Sequence, residues 1–225
     1  MSNNPEPVDF PELYRSVYAA IGRPLRRKDG FGAAVRKFRT NFAHTLPRAL
    51  RDYYAVAAHR SDLHSQYNRL LLPTEMYGAN GRAVFSEENE CVVWWGYPID
   101  PAVDDPPVYQ CADPDHGYWY REPARLSTFL CAALVTEVAF GGAIGNSAAI
   151  TVPQGFDRRI ARAGFRAWGS VSGMKTFTGD GVALAYSKWE VDHQLFYAFT
   201  QPGKIDDLED FARRDARTAR LFKNL

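Results

Sequence analysis

Hydrophobic residues recur along this chain with two different periods. Up to about residue 70, apolar positions repeat every three or four residues, which is the spacing of one face of an α-helix. From residue 174 to residue 199 they form short runs separated by polar turns, which is typical of antiparallel strands. The pattern therefore predicts a helical first part and a strand-rich last part, with elements of both kinds between them.

The helical spacing predicts three helices before residue 60. Asp9 is placed to cap the first helix, and Gly22 is placed to end it. Aromatic and valine side chains at spacings of four, three and four predict a second helix over residues 31–42. A shorter fourth helix is predicted over residues 63–70. Thr45 is placed to cap the third helix, whose inward positions are apolar or aromatic: Leu50, Tyr53, Tyr54 and Ala57.

The stretch 82–109 is predicted to contain the centre of a sheet. Residues 91–95 are apolar without alternation, which indicates a strand that is covered on both faces. Gly96 and Pro98 are predicted to end this strand. Trp94 lies in the middle of the run, so we expect its side chain to belong to the core.

A long helix and a group of strands are predicted in the second half of the chain. Apolar positions over Leu126–Val138 predict the helix, which should end near Gly141. Residues 118–120 predict a strand before it, and residues 150–168 predict a loop with one short helix. A charged helix is predicted over residues 205–221. The final strands should form an antiparallel meander: 174–177, 182–189 and 194–199.

Together these elements predict an α+β fold, a twisted and mainly antiparallel sheet with helices packed on one side. We expect a single domain over residues 1–225. Within it, residues 1–44 would form a helical N-terminal flank, residues 45–140 the core, and residues 150–225 a strand meander and C-terminal helix. The last strands either extend the same sheet or form a small second one.

Composition places the chain among ordinary globular proteins. It has 225 residues, of which 46% are hydrophobic and 24% charged. No apolar run approaches the roughly 20 residues that span a bilayer, and the N-terminal segment lacks the basic and apolar regions of a signal peptide. The three cysteines are spread out and form no CxxC pair, which favours reduced thiols. We therefore expect a cytoplasmic protein.

Charge is segregated along the chain although the net charge is only +1. Residues 15–60 hold eleven Lys and Arg against two acidic residues, whereas residues 74–115 hold nine Asp and Glu against Arg82 alone. One interpretation is that the fold brings these segments together as solvated faces that compensate each other. The other is that the acidic segment presents a negative surface to a basic partner.

Two clusters of reactive side chains favour turns over catalytic or metal sites. The first lies in one proline-stiffened loop and fits no zinc spacing: Cys111, Asp113, Asp115 and His116. The second follows the third helix, in a chain without a Gly-x-Ser-x-Gly motif: His59, Ser61, Asp62 and His64. We therefore expect no metal, no cofactor and no intrinsic catalysis.

Nucleic acid and membranes are not expected partners. The aromatic residues at 118–120 could stack on bases, but their acidic neighbourhood and a pI of about 7.7 disfavour this use. A basic helix face around Arg36 and Arg39 could bind phosphate or an anionic membrane, but a solvated face is favoured.

Several short motifs occur in an order that resembles the SUKH superfamily. They are spread over roughly residues 45–140: Leu46-Pro47, Phe85 with Glu88-Asn89, Val93-Trp94-x-Gly96, Asp105-Pro106-Pro107-Val108 and Leu126-Ser127-x-Phe129-Leu130. That superfamily includes bacterial immunity proteins against toxins and a yeast regulator of cell-wall assembly. The resemblance implies a SUKH-like α+β binding module that is not an enzyme and that blocks a toxin domain, often a nuclease.

The resemblance and the charge pattern together predict a partner and a contact surface. The partner would be a cognate toxin or another protein, and a basic one, because nuclease surfaces that bind phosphate are basic. Two alternatives stay open: a regulatory or scaffold protein without a toxin partner, and a hydrolase that uses the acidic loop. The oligomeric state is left open. The expected contact residues are acidic or aromatic: Glu87, Glu88, Glu90, Asp104, Asp105, Tyr97 and Tyr109.

Overall fold

The structure, a computed structural model, describes residues 8–37, 45–100, 103–145, 147–179, 181–189 and 192–200. It contains two antiparallel sheets together with helices, so the predicted α+β class is confirmed. The strands of the last third form a second sheet rather than an extension of the first. The expected division into flank, core and meander stays a prediction.

Four α-helices and eleven strands lie within the described residues. The helices are α1 Phe10–Ala20, α2 Arg48–Ala57, α3 Leu126–Ala139 and α4 Phe156–Arg162. The first sheet contains β1 Asn68–Leu70, β2 Tyr77–Ala79, β3 Arg82–Glu88, β4 Trp94–Pro98, β5 Pro107–Cys111 and β6 Tyr120–Arg125. The second contains β7 Ser147–Val152, β8 Arg166–Val171, β9 Met174–Gly179, β10 Val182–Trp189 and β11 Asp192–Phe199.

Helix α3 lies at the centre of the described structure. Twelve of its fourteen residues are buried, so it has no solvent-facing polar side. A helix with apolar residues on all of its faces must be covered on every side. Strands β5 and β6 of the first sheet, strands β7 to β11 of the second, and helices α1 and α2 all contact it. The core therefore forms around α3 rather than between two layers alone.

Strand β4 lies in the middle of the first sheet, as predicted, in the order β1-β3-β4-β5-β6 with β2 paired to β3. Its predicted bounds were wrong, because Cys91 adopts a left-handed φ of 56° and Val92 is 54% exposed. The strand starts at Trp94 and includes Gly96. A Cβ at Gly96 would lie 3.1 Å from the Ala83 carbonyl oxygen, so close packing requires glycine inside this strand.

The core tryptophan of β4 is Trp95 rather than Trp94. Trp95 is 2% exposed and its ring lies 5.8 Å from the Phe129 ring on α3. Trp94 is only partly buried. Since neighbouring strand residues point to opposite faces, a one-residue difference decides which indole enters the core.

In the second sheet the strands follow the order β7-β11-β10-β9-β8. The predicted meander is confirmed as β9, β10 and β11, each paired antiparallel to the next. The loop predicted over residues 150–168 was wrong in part, since it contains the end of β7 and the start of β8 beside the short helix α4. Strands β7 and β8 contain alanine, serine and glycine, so their sequences show only a weak pattern of apolar positions.

The helical predictions succeed where capping and period agree. Asp9 caps α1, because its Oδ1 accepts a hydrogen bond from the Glu12 N–H. The predicted cap of α2 at Thr45 was wrong: the helix begins at Arg48, and the Ala49 N–H donates to the Asp104 carbonyl instead. All four predicted inward residues of α2 are buried.

Two further helical predictions fail or fall outside the described residues. The prediction of a fourth helix over residues 63–70 was wrong, because residues 61–63 form a single 3₁₀ turn and residues 68–70 form strand β1. A 3₁₀ helix over residues 32–37 replaces the start of the second predicted helix, whose remainder lies outside the described residues, as does the helix predicted over 205–221. Within the part of the chain that is described, no helix is long and apolar enough to cross a membrane.

The two tryptophans of β4 give a matched test of this fold. Trp95→Ala should lower the free energy of unfolding by about 3–5 kcal/mol, because it removes a buried indole from the contact with α3. Trp94→Ala should cost clearly less, since its ring is only partly buried. Urea denaturation of both variants measures the difference, and equal losses would contradict the assignment of the two faces.

Candidate interaction surface

The predicted contact residues do not form one surface, because they lie at opposite ends of the first sheet. Glu87 on β3 is paired with Trp94, which is paired with Cys111 at the end of β5. Asp104 and Asp105 precede Pro107 at the start of β5. Five strand residues at about 3.3 Å each separate the two groups by roughly 15 Å.

The first acidic group is largely engaged within the protein. Glu87 Oε1 accepts a 2.9 Å hydrogen bond from Arg69 Nε, and Arg69 also lies 3.6 Å from Glu75. Glu88 is buried, and its Oε2 accepts from the Glu90 N–H. Burial leaves Glu88 without the accessible surface that a contact residue needs. Glu90 is exposed and keeps its side chain available to a partner.

Asp105 at the other end caps helix α3. Its two carboxylate oxygens accept from the Ser127 N–H at 2.8 Å and from the Ser127 hydroxyl at 2.7 Å. A carboxylate at a helix N-terminus satisfies free N–H groups and interacts favourably with the helix dipole. Asp104 beside it is exposed and lies 3.9 Å from Arg48 Nη1. The structure thus gives Asp105 a structural role and leaves Asp104 accessible.

The two predicted aromatic anchors are also covered. Tyr97 is buried, and burial raises the pKa of its phenol. Tyr109 is half-buried, with the Arg82 guanidinium 4.1 Å from its ring centroid in a cation–π contact. Neither ring is free to enter a pocket on a partner.

Exposed aromatic and apolar side chains lie instead in or beside the β3–β4 and β5–β6 connections. Of the five large hydrophobic residues that are exposed within the described chain, three belong here: Val92 at 54%, Tyr118 at 85% and Tyr120 at 66%. The β4–β5 register places residue 93 opposite residue 112, so both connections leave the same end of the sheet. We call this the turn–loop surface and define it by Glu90, Val92, Asp113, Asp115, Tyr118 and Tyr120.

The charge of the turn–loop surface is negative. Residues 89–93 and 112–119 contain Glu90, Asp113 and Asp115 but no Lys or Arg. All three carboxylates are on exposed residues. An exposed patch of aromatic rings with an acidic setting is a surface that suits a basic protein partner.

The β5–β6 loop in this surface is held by its own hydrogen bonds. Asp113 Oδ1 accepts from the backbone N–H groups of Asp115 and His116, and these bonds lower the pKa of Asp113. Asn80 Nδ2 donates to the Pro114 and Asp115 carbonyls at 3.0 and 2.7 Å. These bonds define the backbone of residues 113–116, just before Tyr118, which reduces the entropy that the loop loses on binding.

Sequence reasoning missed Val92 and Tyr118 because it placed both in strands. The turn at residues 112–117 was predicted, but strand β6 starts at Tyr120 rather than at Tyr118. The left-handed backbone at Cys91, which turns Val92 outward, has no signal in the sequence. The Asp-Pro-Asp sequence followed by Gly117 was the available sign of a longer loop.

The two reactive clusters adopt the turn roles predicted for them. Cys111 Sγ donates to the Asp113 carbonyl at 2.8 Å. Among the described residues, no group of three or more His, Cys, Asp or Glu side chains could hold a metal ion. Asp62 forms two hydrogen bonds with the Arg60 guanidinium. The Cys111 thiol and the Asp62 carboxylate therefore each form their hydrogen bonds within their own turn.

A cleft of about 460 Å³ opens beside the second cluster, at the C-terminal end of α2. His64 lines it and is 8% exposed. Its Nε2 is hydrogen bonded to the Tyr53 hydroxyl and lies 3.0 Å from the Tyr18 hydroxyl, and those hydroxyls are 2.8 Å apart. Burial lowers the pKa of His64 to about 4. The imidazole is thus neutral in the folded protein.

Comparison with protein-family models, with curated proteins and with solved structures finds no match to this chain. The resemblance to the SUKH superfamily therefore rests on the order of the motifs in the sequence. The immunity role that it implies is a proposal.

The neighbouring residues Asp105 and Asp104 allow a matched test of whether Asp105 caps α3. Asp105→Ala should lower the free energy of unfolding by about 1–2 kcal/mol, because Ser127 loses both hydrogen bonds and the helix loses its cap. Asp104→Ala should change it by no more than about 0.5 kcal/mol, since that carboxylate is exposed. Thermal or urea denaturation measures both, and equal effects would contradict the cap.

The buried imidazole predicts a loss of stability in acid. The His64 pKa of about 4 lies below the ordinary value of about 6.5, so folding favours the neutral ring. The stability that the neutral imidazole contributes is fully present above pH 6.5 and is lost as the pH falls towards 4. It amounts to about 3 kcal/mol at most. An NMR titration of the imidazole in the folded protein measures the pKa. Protonation of His64 at or above pH 6.5 would disprove the assignment.

Proposed function

We propose that this chain is a non-catalytic protein-binding module that neutralises a basic toxin domain, as SUKH-type immunity proteins do. The observation that carries the proposal is the turn–loop surface, where the exposed rings of Tyr118, in a hydrogen-bonded loop, and Tyr120, at the start of β6, stand in an acidic setting. The resemblance in the sequence supports the class of partner, and the exposure and charge of the turn–loop surface support its choice as the binding site.

The aromatic side chains provide the anchors of this interface. Interface energy is concentrated in a few residues, and Tyr and Trp are prominent among them. Tyr118 is the most exposed of the large hydrophobic residues described, and Val92 and Tyr120 add exposed apolar surface at the same end of the sheet. A partner that covers these three residues gains hydrophobic free energy without an internal rearrangement of the loop.

The carboxylates of the surface provide steering and selection. Glu90, Asp113 and Asp115 would attract a basic surface such as the one with which a nuclease binds phosphate. Of the seven contact residues predicted from the sequence, Glu90 and Asp104 keep accessible carboxylates without a capping or buried role. Glu90 belongs to the turn–loop surface, whereas Asp104 lies at the other end of the sheet.

The proposal also implies the compartment in which the protein acts. All three cysteines are free thiols, with Cys91 exposed and the other two buried. Free thiols suit a reducing compartment, so we place the protein in the cytoplasm, where a toxin would meet its target.

The direct test is binding to the protein that is encoded beside this gene, measured as association and dissociation rates. Reversing Glu90 and Asp115 to Lys should slow association by about tenfold at low salt and by less at high salt. Tyr118→Ala should instead raise the dissociation rate by about fivefold or more, because it removes an anchor.

A matched control reverses two exposed carboxylates elsewhere, Glu12 and Asp104, which gives the same net charge. This variant should associate like the parent, and thermal melts should show that every variant is folded. Equal slowing in the control would move the binding surface away from the turn–loop surface. Absence of binding between the parent protein and the neighbouring gene product would reject the immunity role.

A further inference from the structure

The cleft at the C-terminal end of α2 has the size of a small-molecule site. Its volume of about 460 Å³ lies within the range of about 300–1,000 Å³ that ligand pockets occupy. Tyr54, Ala57, Leu70 and Leu72 form apolar parts of its wall. The Tyr54 hydroxyl is directed away to the Leu71 carbonyl, to which it donates. The cleft shares no residue with the turn–loop surface.

The hydrogen bonds around His64 fix the position of its ring proton. Tyr18 and Tyr53 are fully buried, and each hydroxyl must donate its proton to an acceptor. Within the described chain the two hydroxyls meet only each other and His64 Nε2. Both protons find acceptors only if one hydroxyl donates to the oxygen of the other hydroxyl. This second hydroxyl then donates its own proton to Nε2.

It follows that Nε2 is the acceptor and that the neutral ring carries its proton on Nδ1. The side-chain hydrogen bonds of His64 to other described residues all involve Nε2, and the residue lines the cleft. The Nδ1–H group is therefore a donor at a residue that is more than nine-tenths buried, available to whatever enters the cleft. A ligand that displaces water from this donor loses affinity unless it offers an acceptor in the place of the water.

The charged residues of the cleft wall are already neutralised. Arg60 binds Asp62 through two hydrogen bonds and lies 4.0 Å from Asp29. Arg69 is paired with Glu87 and Glu75. An anionic ligand would find no free cation there, so the wall favours a neutral molecule.

We propose that this cleft binds a small, neutral, flat apolar molecule that carries a carbonyl oxygen. The oxygen accepts a hydrogen bond from His64 Nδ1–H, and the apolar body packs against Tyr54 and Leu72. This site is separate from the proposed protein interface, and its occupancy is measurable in the isolated protein without a partner.

Acetophenone and α-methylstyrene are matched probes, because they share a shape and differ in the carbonyl oxygen. NMR titration of the full chain should show acetophenone binding with a Kd of about 1 mM, as expected for a ligand of this size. α-Methylstyrene should bind at least about tenfold more weakly, because it leaves Nδ1–H unpaired. Equal affinities, or shifts confined to residues outside the cleft, would overturn the proposal.

The imidazole signals of His64 provide a readout that does not depend on a variant. In the free protein, long-range ¹H–¹⁵N spectra should show a protonated Nδ1 and an unprotonated Nε2, and acetophenone should shift the Nδ1–H proton. A proton on Nε2 in the free protein would refute the assignment. Such spectra distinguish the two tautomers directly.

A variant that keeps His64 in place closes the cleft. Ser65 is exposed and lines the opening, so Ser65→Trp should weaken acetophenone binding by about tenfold or more while the His64 signals keep their tautomer. Arg15→Trp adds the same side chain on the exposed face of α1 and should bind like the parent. Unchanged binding in a folded Ser65→Trp protein would exclude the cleft as the site.

Discussion

Helix α3 is the constraint on which the rest of the structure depends. Because it is buried on every side, no single sheet can cover it, and the chain needs two sheets and a pair of helices to remove it from water. This explains why the second sheet is separate from the first. The aromatic rings of Phe85 and Trp95 reach α3 from one side at Phe129, and Trp168 and Val171 on β8 belong to the same continuous hydrophobic core.

Two buried carboxylates link the layers around α3. Glu137 on the helix accepts backbone N–H bonds from residues 66, 67 and 68, so it fixes the segment that begins β1. Burial raises the pKa of Glu137 to about 7, and the three donors partly offset this effect. Glu122 on β6 accepts from Trp95 Nε1 and from the Ser172 N–H in the β8–β9 turn, which ties the two sheets together. Charged side chains are buried here because each satisfies several donors from distant parts of the chain.

Sequence reasoning succeeded where local chemistry decides the structure. The Asp9 cap, the inward face of α2 around Tyr53, and the strands β9 to β11 follow from capping, period and turn residues. It failed where contacts between distant residues decide. The carboxylate of Asp105 looks like any exposed turn acid until Ser127, 22 positions later, lies against it. The outward turn at Cys91 decides that Trp95, and not Trp94, enters the core. No pattern in the sequence marks this turn.

The order of strands in the second sheet has a consequence for synthesis of the chain. Strand β7 pairs with β11, and α3, which precedes β7, needs that sheet as cover. Helix α3 ends at Ala139 and β11 ends at Phe199, so the ribosome must add about 60 residues before the helix can be enclosed. At about 5–20 residues per second this takes roughly 3 to 12 s, during which the part of α3 that packs on the second sheet is open to solvent. During that time the nascent chain would expose an apolar surface of the kind that chaperones shield, and slow codons between α3 and β11 would lengthen the exposure.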